Sequence, residues 1–531
     1  MTGTMKMVRL ILRRDRVLMP IWVLFIGLVP LSYVSAINGL FPTAPQRQSY
    51  ADLSAHNAGF VALYGRLHGS SLGELVAWRG GFIPIVIAIV AVLTVIRHTR
   101  TEEEAGRREL LGSTVVGRHA GLAAAVLTTA VACLLLGVVL AVGLTGQDLP
   151  ASGAWALGMS MAMAGWIGVG IAAVAAQLTT GAGGARGIAM GVIAAAFVVR
   201  MVGDIASLGS NGLSWLTWVS PLGWLEAIRP FGANQWWPVL VLVGLTVLLT
   251  ALAAALSARR DVGSGLLPAR LGPASAGPAL RSPFGLAWRL HRGLLAGWTI
   301  GFAVLGIVMG YLASSVGDLV NDSKEMAQVF ARLGGAQGLI DNYLASVTSL
   351  FGLVASAYGI QAALRMRGEE AGGRLEPVLA TAAGRTRWAA SHLVFALLGP
   401  AVVLLASGLT MGLAHGLNVH DVGGQLPGVL AGAVVQLPAV WVLASIAVLF
   451  FGVLPRASMA AWVALVLCMV LSLVGPAVRL DQWLLDLSPF THVPHLPGGA
   501  ANALPVVVLV VIAAVLAAGG LAGWRRRDVT A

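Results

Sequence analysis

The chain has 531 residues, of which 57% are apolar and 11% charged, with a mean hydropathy of +0.84. A soluble domain carries about 25% charged residues, so soluble enzymes are excluded and the solvent is a bilayer. The net charge of +12 falls in short clusters between apolar runs, which excludes a nucleic-acid partner as well.

A hydrocarbon core of about 30 Å needs roughly 20 apolar residues per helix. Taken in chain order, such runs fall at 17–38, 80–97, 119–146, 152–179, 186–208 and 237–258. After a gap come 293–315, 343–364, 387–416, 426–453, 457–478 and 503–524. The alternation over about 10 residues that marks barrel strands is lacking. The expected fold class is therefore an all-α polytopic membrane protein with about twelve spans. With the N-terminus inside, the inner segments collect 26 of the 34 Lys and Arg residues, which places both termini in the cytoplasm. Only Lys6 and Lys324 are lysines, a bias that fits a GC-rich bacterial genome and hence a bacterial cell membrane.

Before the first span, Arg9, Arg13 and Arg16 share a helical face within residues 7–16. This suits an in-plane helix on anionic headgroups, and residues 284–292 repeat the arrangement. Val34-Ser35-Ala36 resembles a cleavage site, but the matching span lies mid-chain, so the first span reads as an uncleaved helix. Cys133 and Cys468 lie inside apolar runs and form no disulfide framework. Two charged segments, 100–118 and 367–385, follow the second and eighth spans and are longer than a turn requires. Glu103 with Arg107, Glu104 with Arg108, and Glu370 with Arg374 are spaced i, i+4 in the favourable order. Leu110 and Leu111, or Val378 and Leu379, supply an apolar knob, and Gly117 or Gly384 the exit. One such segment could simply hold spans in register; two copies favour paired docking points for a partner.

Farther on, Arg200 and Asp204 form an i, i+4 pair near the outer end of the fifth span, with Arg479 and Asp481 in a comparable place. Trp215, Trp218, Trp224, Trp236 and Trp237 crowd the approach to the sixth span as an aromatic belt. His492 and His495 lack companion ligands, so no metal site is expected. No Gly-x4-Gly-Lys-Ser/Thr motif occurs, so the chain carries no P-loop.

The chain also repeats itself. Arg13, Arg16 and Trp22 recur as Arg289, Arg292 and Trp298, 276 residues later. Glu103-Glu104-Ala105-Gly106 recurs as Glu369-Glu370-Ala371-Gly372 at 266, and Glu109, Gly117 and Arg118 as Glu376, Gly384 and Arg385 at 267. Ser220-Pro221 recurs at 268, and Arg259-Arg260-Asp261-Val262 as Arg526-Arg527-Asp528-Val529 at 267. Ordered matches at near-constant offset indicate a tandem duplication: repeats at 1–262 and 285–531, joined by a Gly/Pro-rich linker at 263–284. Six spans per repeat make the halves parallel.

At the Glu-Glu-Ala-Gly-x-Arg…Glu…Gly-Arg segments the sequence resembles the fused, double-repeat ABC-2 type exporter permeases, including the tetronasin-type antibiotic and multidrug transporters. The resemblance implies a type V exporter-like architecture and a separate ATPase present in two copies. Carried over by position, Glu103, Glu104, Arg108, Glu109 and Gly117 would form one ATPase-coupling helix, and Glu369, Glu370, Arg374, Glu376 and Gly384 the other. Gly373 would stand opposite Arg107, and Pro377 opposite Leu110, making the docks unequal. The resemblance further implies alternating access for a hydrophobic antibiotic, drug or lipid-like substrate. ATP and Mg would belong to the partner, and this chain would bind no cofactor and be no enzyme itself. A proton-coupled antiporter with two six-helix halves is the alternative, but it calls for carboxylates within the spans, which are nearly free of them.

Overall fold

The computed structural model describes residues 2–209, 212–267, 274–275, 277–321, 335–473, 481–499 and 502–529. Among these residues every regular element is helical, and eleven helices are long and apolar enough to cross a bilayer. The protein is an all-helical, multi-pass membrane protein. It divides into two compact units, Met1–Leu271 and Gly272–Ala531. The middle of the expected linker (268–273 and 276, with Arg270), Lys324 and Arg479 lie outside the described residues.

In the first unit, α1 (Thr4–Arg14) is amphipathic. Ile11 is buried against Ala124 and Ala125, while Lys6, Arg9 and Arg13 face outward. The helix stops at Asp15, whose buried carboxylate lies 2.5 Å from His98 and 3.2 Å from Arg97, and the chain turns into α2 (Leu18–Leu40). The stretch before the second span, left unassigned by hydropathy, folds into α3 (Ala44–Ala55), α4 (Ala58–Tyr64) and α5 (Leu72–Arg79). Capping explains why. Thr43 with Gln46 and Ser71 with Glu74 form reciprocal capping boxes, and Asn57 accepts the Phe60 N–H at 3.0 Å. Then follow α6 (Ile83–His98), α7 (Arg100–Glu104), α8 (Arg107–Gly112), α9 (Ala120–Thr145), α10 (Ala151–Leu178) and α11 (Ala182–Ala206). Two short helices, α12 (Leu216–Val219) and α13 (Pro221–Glu226), lead to α14 (Trp237–Ala258). The centre of the unit is α10, rich in Ala and Gly and buried over most of its length. Small residues let helix backbones approach where no side chain intervenes. The Trp166 indole on α10 donates to the Ala130 carbonyl on α9 at 3.1 Å.

The second unit contains α15 (Pro283–Asn321), α16 (Gly335–Ala371), α17 (Leu375–Leu379), α18 (Arg385–Asn418), α19 (Val422–Val434), α20 (Leu437–Val453), α21 (Ala460–Leu473), α22 (Gln482–Leu485) and α23 (Ala503–Arg526). It departs from the first in two ways. The amphipathic segment and first span run as one helix, α15, because no equivalent of the Asp15 corner interrupts them: His291 stands there and sits 2.9 Å from His392. The expected span 426–453 is present as one span, Val422–Val453, its helix interrupted at Val435 and Gln436, just before Pro438, which cannot donate to the preceding turn. An indole again ties the core, from Trp441 to the Leu397 carbonyl at 2.8 Å. The expected span 457–478 is described only as α21, since 474–480 lie outside the described residues.

Helices α20 and α23 meet backbone to backbone: a Cβ added at Gly452 would stand 1.8 Å from the Gly520 carbonyl oxygen. Neither backbone can yield as a flexible side chain could. Gly452→Ala is expected to destabilise the unit by about 1–3 kcal/mol through overpacking, read as a lower unfolding midpoint in detergent.

Candidate functional site

The two charged segments lie at the same end of their respective units as the Arg-rich helix termini, the basic end. In the first unit α6 kinks at Thr99, passes through α7, and turns at Gly106 into α8; Gly106 has φ +69° and open space around its Cα. In the second unit α16 continues to Ala371, and Gly373 with φ +66° turns the chain into α17. A left-handed φ favours glycine, so these two glycines are structural counterparts. They stand 267 residues apart, not 266, which corrects the alignment of Gly106 with Gly372 and of Arg107 with Gly373.

The ion pairs follow the same register. Glu103 is buried and accepts from Arg100 and from both terminal nitrogens of Arg260, at 3.1 and 2.9 Å. Glu370 is buried and accepts from Arg367 at 3.1 Å and from both terminal nitrogens of Arg527, at 2.6 and 2.8 Å. Arg118 donates to the Arg260 carbonyl at 2.6 Å, and Arg385 to the Arg527 carbonyl at 2.9 Å. Glu102 takes Arg107 in a bidentate grip at 2.8 and 2.9 Å, and Glu369 takes Arg374 at 2.9 and 3.3 Å. Every one of these counterparts is spaced by 267. The expected i, i+4 partners are thus replaced by pairs five residues apart, because the positive-φ glycine between them breaks the helix. Glu104 instead caps α11, its carboxylate accepting the Ala182 N–H at 2.9 Å. Arg108 donates to the Arg118 carbonyl at 3.0 Å.

Of the residues singled out from sequence, Glu103, Glu369 and Glu370 point inward, while Glu104, Glu109, Arg374, Glu376 and Gly384 are exposed. Arg108 and Gly117 are half-buried, and the Gly117 N–H donates to the Thr2 carbonyl at 2.9 Å. Leu110 and Val115 project furthest, at 73% and 86% exposure; in the second unit Pro377 is exposed and Val378 and Leu379 are half-buried. The sequence reading missed Arg100, Arg260, Arg367 and Arg527 as partners, although the repeated Arg-Arg-Asp-Val strings carried the signal. In each unit the charged segment is clamped to the far end of the last span, α14 or α23, and an apolar tip is left outside. A force on the tip would reach that span through a buried ion pair.

At the opposite end of the first unit a second cluster surrounds a cavity of about 100 Å³. Arg200 donates to Glu226 at 2.8 Å and lies 3.6 Å from Asp204; Arg66 also lies 3.6 Å from Asp204, which accepts from Thr217 at 2.8 Å. His68, Glu74 and Arg229 line the same space. The expected Arg200 and Asp204 pair is present but belongs to this larger network. Burial, offset in part by Arg200, raises the Glu226 carboxyl from 4.5 to about 8, and the Asp204 carboxylate adds to the rise. Between those values the folded chain holds a proton that the unfolded chain has released. Stability should therefore fall as pH rises through this window, and Glu226→Gln should flatten the slope, as measured by unfolding midpoints across it. The tryptophans are largely exposed, with Trp218 stacked on Trp237 at 5.9 Å, in keeping with a belt.

The family model described as "Multidrug efflux system permease Rv1217c, C-terminal domain" matches residues 6–256 and 280–525. The chain is similar to the multidrug efflux system permease protein Rv1217c of Mycobacterium tuberculosis (strain ATCC 25618 / H37Rv), with 43% identity over 530 residues, covering 99% of this chain and 95% of that protein.

Proposed function

The chain belongs to the Rv1217c family of multidrug efflux system permeases, and from that premise we propose that it is the membrane subunit of an ATP-driven ABC exporter. It forms the pathway for a hydrophobic drug or lipid-like substrate by alternating access, as a fused double-repeat permease of the ABC-2 type. Two copies of a separate ATPase subunit, holding ATP and Mg, supply the energy. The basic end of each unit faces the cytoplasm, with both termini there, and each charged segment receives one ATPase.

The observation that supports this reading most is the repeated clamp. Glu103 with Arg260, and Glu370 with Arg527, fix a charged segment to the last span of each unit while leaving its tip outside. Buried ion pairs add little net stability over apolar packing, so their recurrence at equivalent positions argues for a mechanical role. The contacts to the ATPase are assigned to Glu104, Glu109, Leu110 and Val115 on one segment, and to Arg374, Glu376, Pro377 and Gly384 on the other. Glu103, Glu369 and Glu370 hold those surfaces from beneath. Reconstitution in vesicles tests the proposal: export should require ATP and a co-expressed ATPase, whereas export driven by a proton gradient alone would favour a secondary antiporter.

A further inference from the structure

A second cavity, of about 110 Å³, lies at the basic end of the first unit. Its walls are α1, the end of α6, α7, α8, the start of α9 and the chain just beyond α14. Met7, Leu10, Ile11 and Arg14 line it from α1, at the spacing of a single helical face. Leu111, Val116 and Val262 complete an apolar side, and Arg14, Arg108, Arg118, His98 and Glu102 form a polar one.

The charges within it do not balance. Glu102, the one carboxylate lining the cavity among the described residues, is already held by Arg14 at 2.8 Å and by Arg107. His98 is engaged by Asp15. Arg108 donates to the Arg118 carbonyl, and Arg118 to the carbonyls of Ser257 and Arg260. Neutral carbonyls do not cancel a guanidinium charge. Burial presses Arg108 below its ordinary value; attraction to Glu103 works against this, and the guanidinium groups of Arg260, Arg100 and Arg118 add to it. An arginine stays charged in a protein all the same, so this corner holds positive charge that wants an anion.

The duplication shows that the arrangement is particular to the first unit. In the 267-residue register Arg108 corresponds to Leu375 and Gly121 to Trp388, and both of these are buried members of the apolar core of the second unit. A Cβ at Gly121 would stand 3.6 Å from the Arg108 guanidinium carbon. Glycine there leaves room where the other unit places an indole. One unit fills the position with hydrocarbon; the other leaves it hollow and lines it with arginine.

We infer that this cavity binds the phosphate of an anionic phospholipid, with Arg108 and Arg118 toward the phosphate and Met7, Leu10, Leu111 and Val116 against the lipid's apolar part. A guanidinium suits phosphate through paired, charge-assisted hydrogen bonds. The adjoining apolar wall and the exposed Lys6, Arg9 and Arg13 of α1 favour a lipid of the membrane surface over a free phosphate ion. The site depends on the proposed function only for which leaflet supplies the lipid.

The test uses the full-length chain purified alone and stripped of lipid, so that no ATPase enters the readout. Native mass spectrometry counts phosphatidylglycerol and phosphatidylcholine retained from mixed micelles. Wild type should retain one tightly held phosphatidylglycerol, and Arg108→Leu and Gly121→Trp, which carry the second unit's residues, should weaken it by at least roughly tenfold. Arg108→Lys should keep part of the affinity, which separates lost charge from lost fold. Equal retention of both lipids, no change in the two variants, or displacement of the lipid by inorganic phosphate alone would overturn the inference.

Discussion

Glu103→Ala should lower the unfolding free energy by about 3–5 kcal/mol, the cost of leaving the buried Arg100 and Arg260 guanidinium groups without their counter-charge. Glu370→Ala should cost less, because Arg367 and Arg527 are only partly buried. Arg260 keeps its bonds to Gln177 and to the Ser264 carbonyl, but these are neutral acceptors and cannot replace a carboxylate. Arg527 keeps a bond to the Asp528 carbonyl at 3.2 Å and its positions over the Trp524 and Phe451 rings, 4.7 and 5.0 Å from their centroids, none of which replaces a carboxylate. Glu102→Ala is the control. Its partners Arg14 and Arg107 are solvent-exposed, so its loss should cost no more than about 1 kcal/mol. Pairing Glu103→Ala with Arg260→Leu should recover much of the loss, because replacing both members of a buried pair by apolar groups is far less costly than removing one. Denaturant titration of the detergent-solubilised chain reads all four variants. Similar costs for Glu103→Ala and Glu102→Ala would show that the clamp is not a buried ion pair in the sense described.

Leu110→Asp and Pro377→Asp should do the opposite: leave stability within about 0.5 kcal/mol and abolish coupling. Both residues are exposed on the surface of their units, so little folded-state packing is lost on substitution. If each tip anchors in a pocket of an ATPase, truncating or charging it should cost about 2 kcal/mol or more of docking energy, roughly thirtyfold in affinity. The two effects should differ in size. Leu110 offers a flexible apolar side chain and Val115 beyond it, whereas Pro377 is rigid and is followed by the half-buried Val378 and Leu379. ATPase stimulation measured for each single variant and for the pair would rank the two docks.

Hydropathy made the spans legible, because a bilayer demands long apolar helices whatever the neighbours. It could not show α3 to α5, whose existence rests on caps at Thr43, Asn57 and Ser71 rather than on apolar periodicity. Nor could it show the break at Gln436, which lies within a run that is apolar on both sides. The charged segments were visible as strings, but their register was not. Three consecutive glutamates, Glu102 to Glu104, face two, Glu369 and Glu370, and letter matching allows an offset of 266 or 267. Backbone geometry decides it: the left-handed turn at Gly106 and Gly373 favours glycine, and only the 267 register makes Glu103 and Glu370 counterparts, each paired with an arginine beyond the last span. Charge runs look like solvated faces in a sequence, yet here burial turns half of each run inward. The one-sided replacement of Leu375 and Trp388 by Arg108 and Gly121 became visible only after that register was known.

The most direct measurement is ATP hydrolysis by the wild-type chain purified with a co-expressed ABC ATPase and reconstituted in lipid, set beside the Leu110→Asp, Pro377→Asp double variant. A stable complex with two ATPases per chain, turnover stimulated by drug, and loss of both in a variant that unfolds at the wild-type midpoint are the predicted results. A double variant that still binds and stimulates the ATPase, or a wild-type chain that exports drug on a proton gradient with no ATPase present, would contradict the coupling role of the two segments.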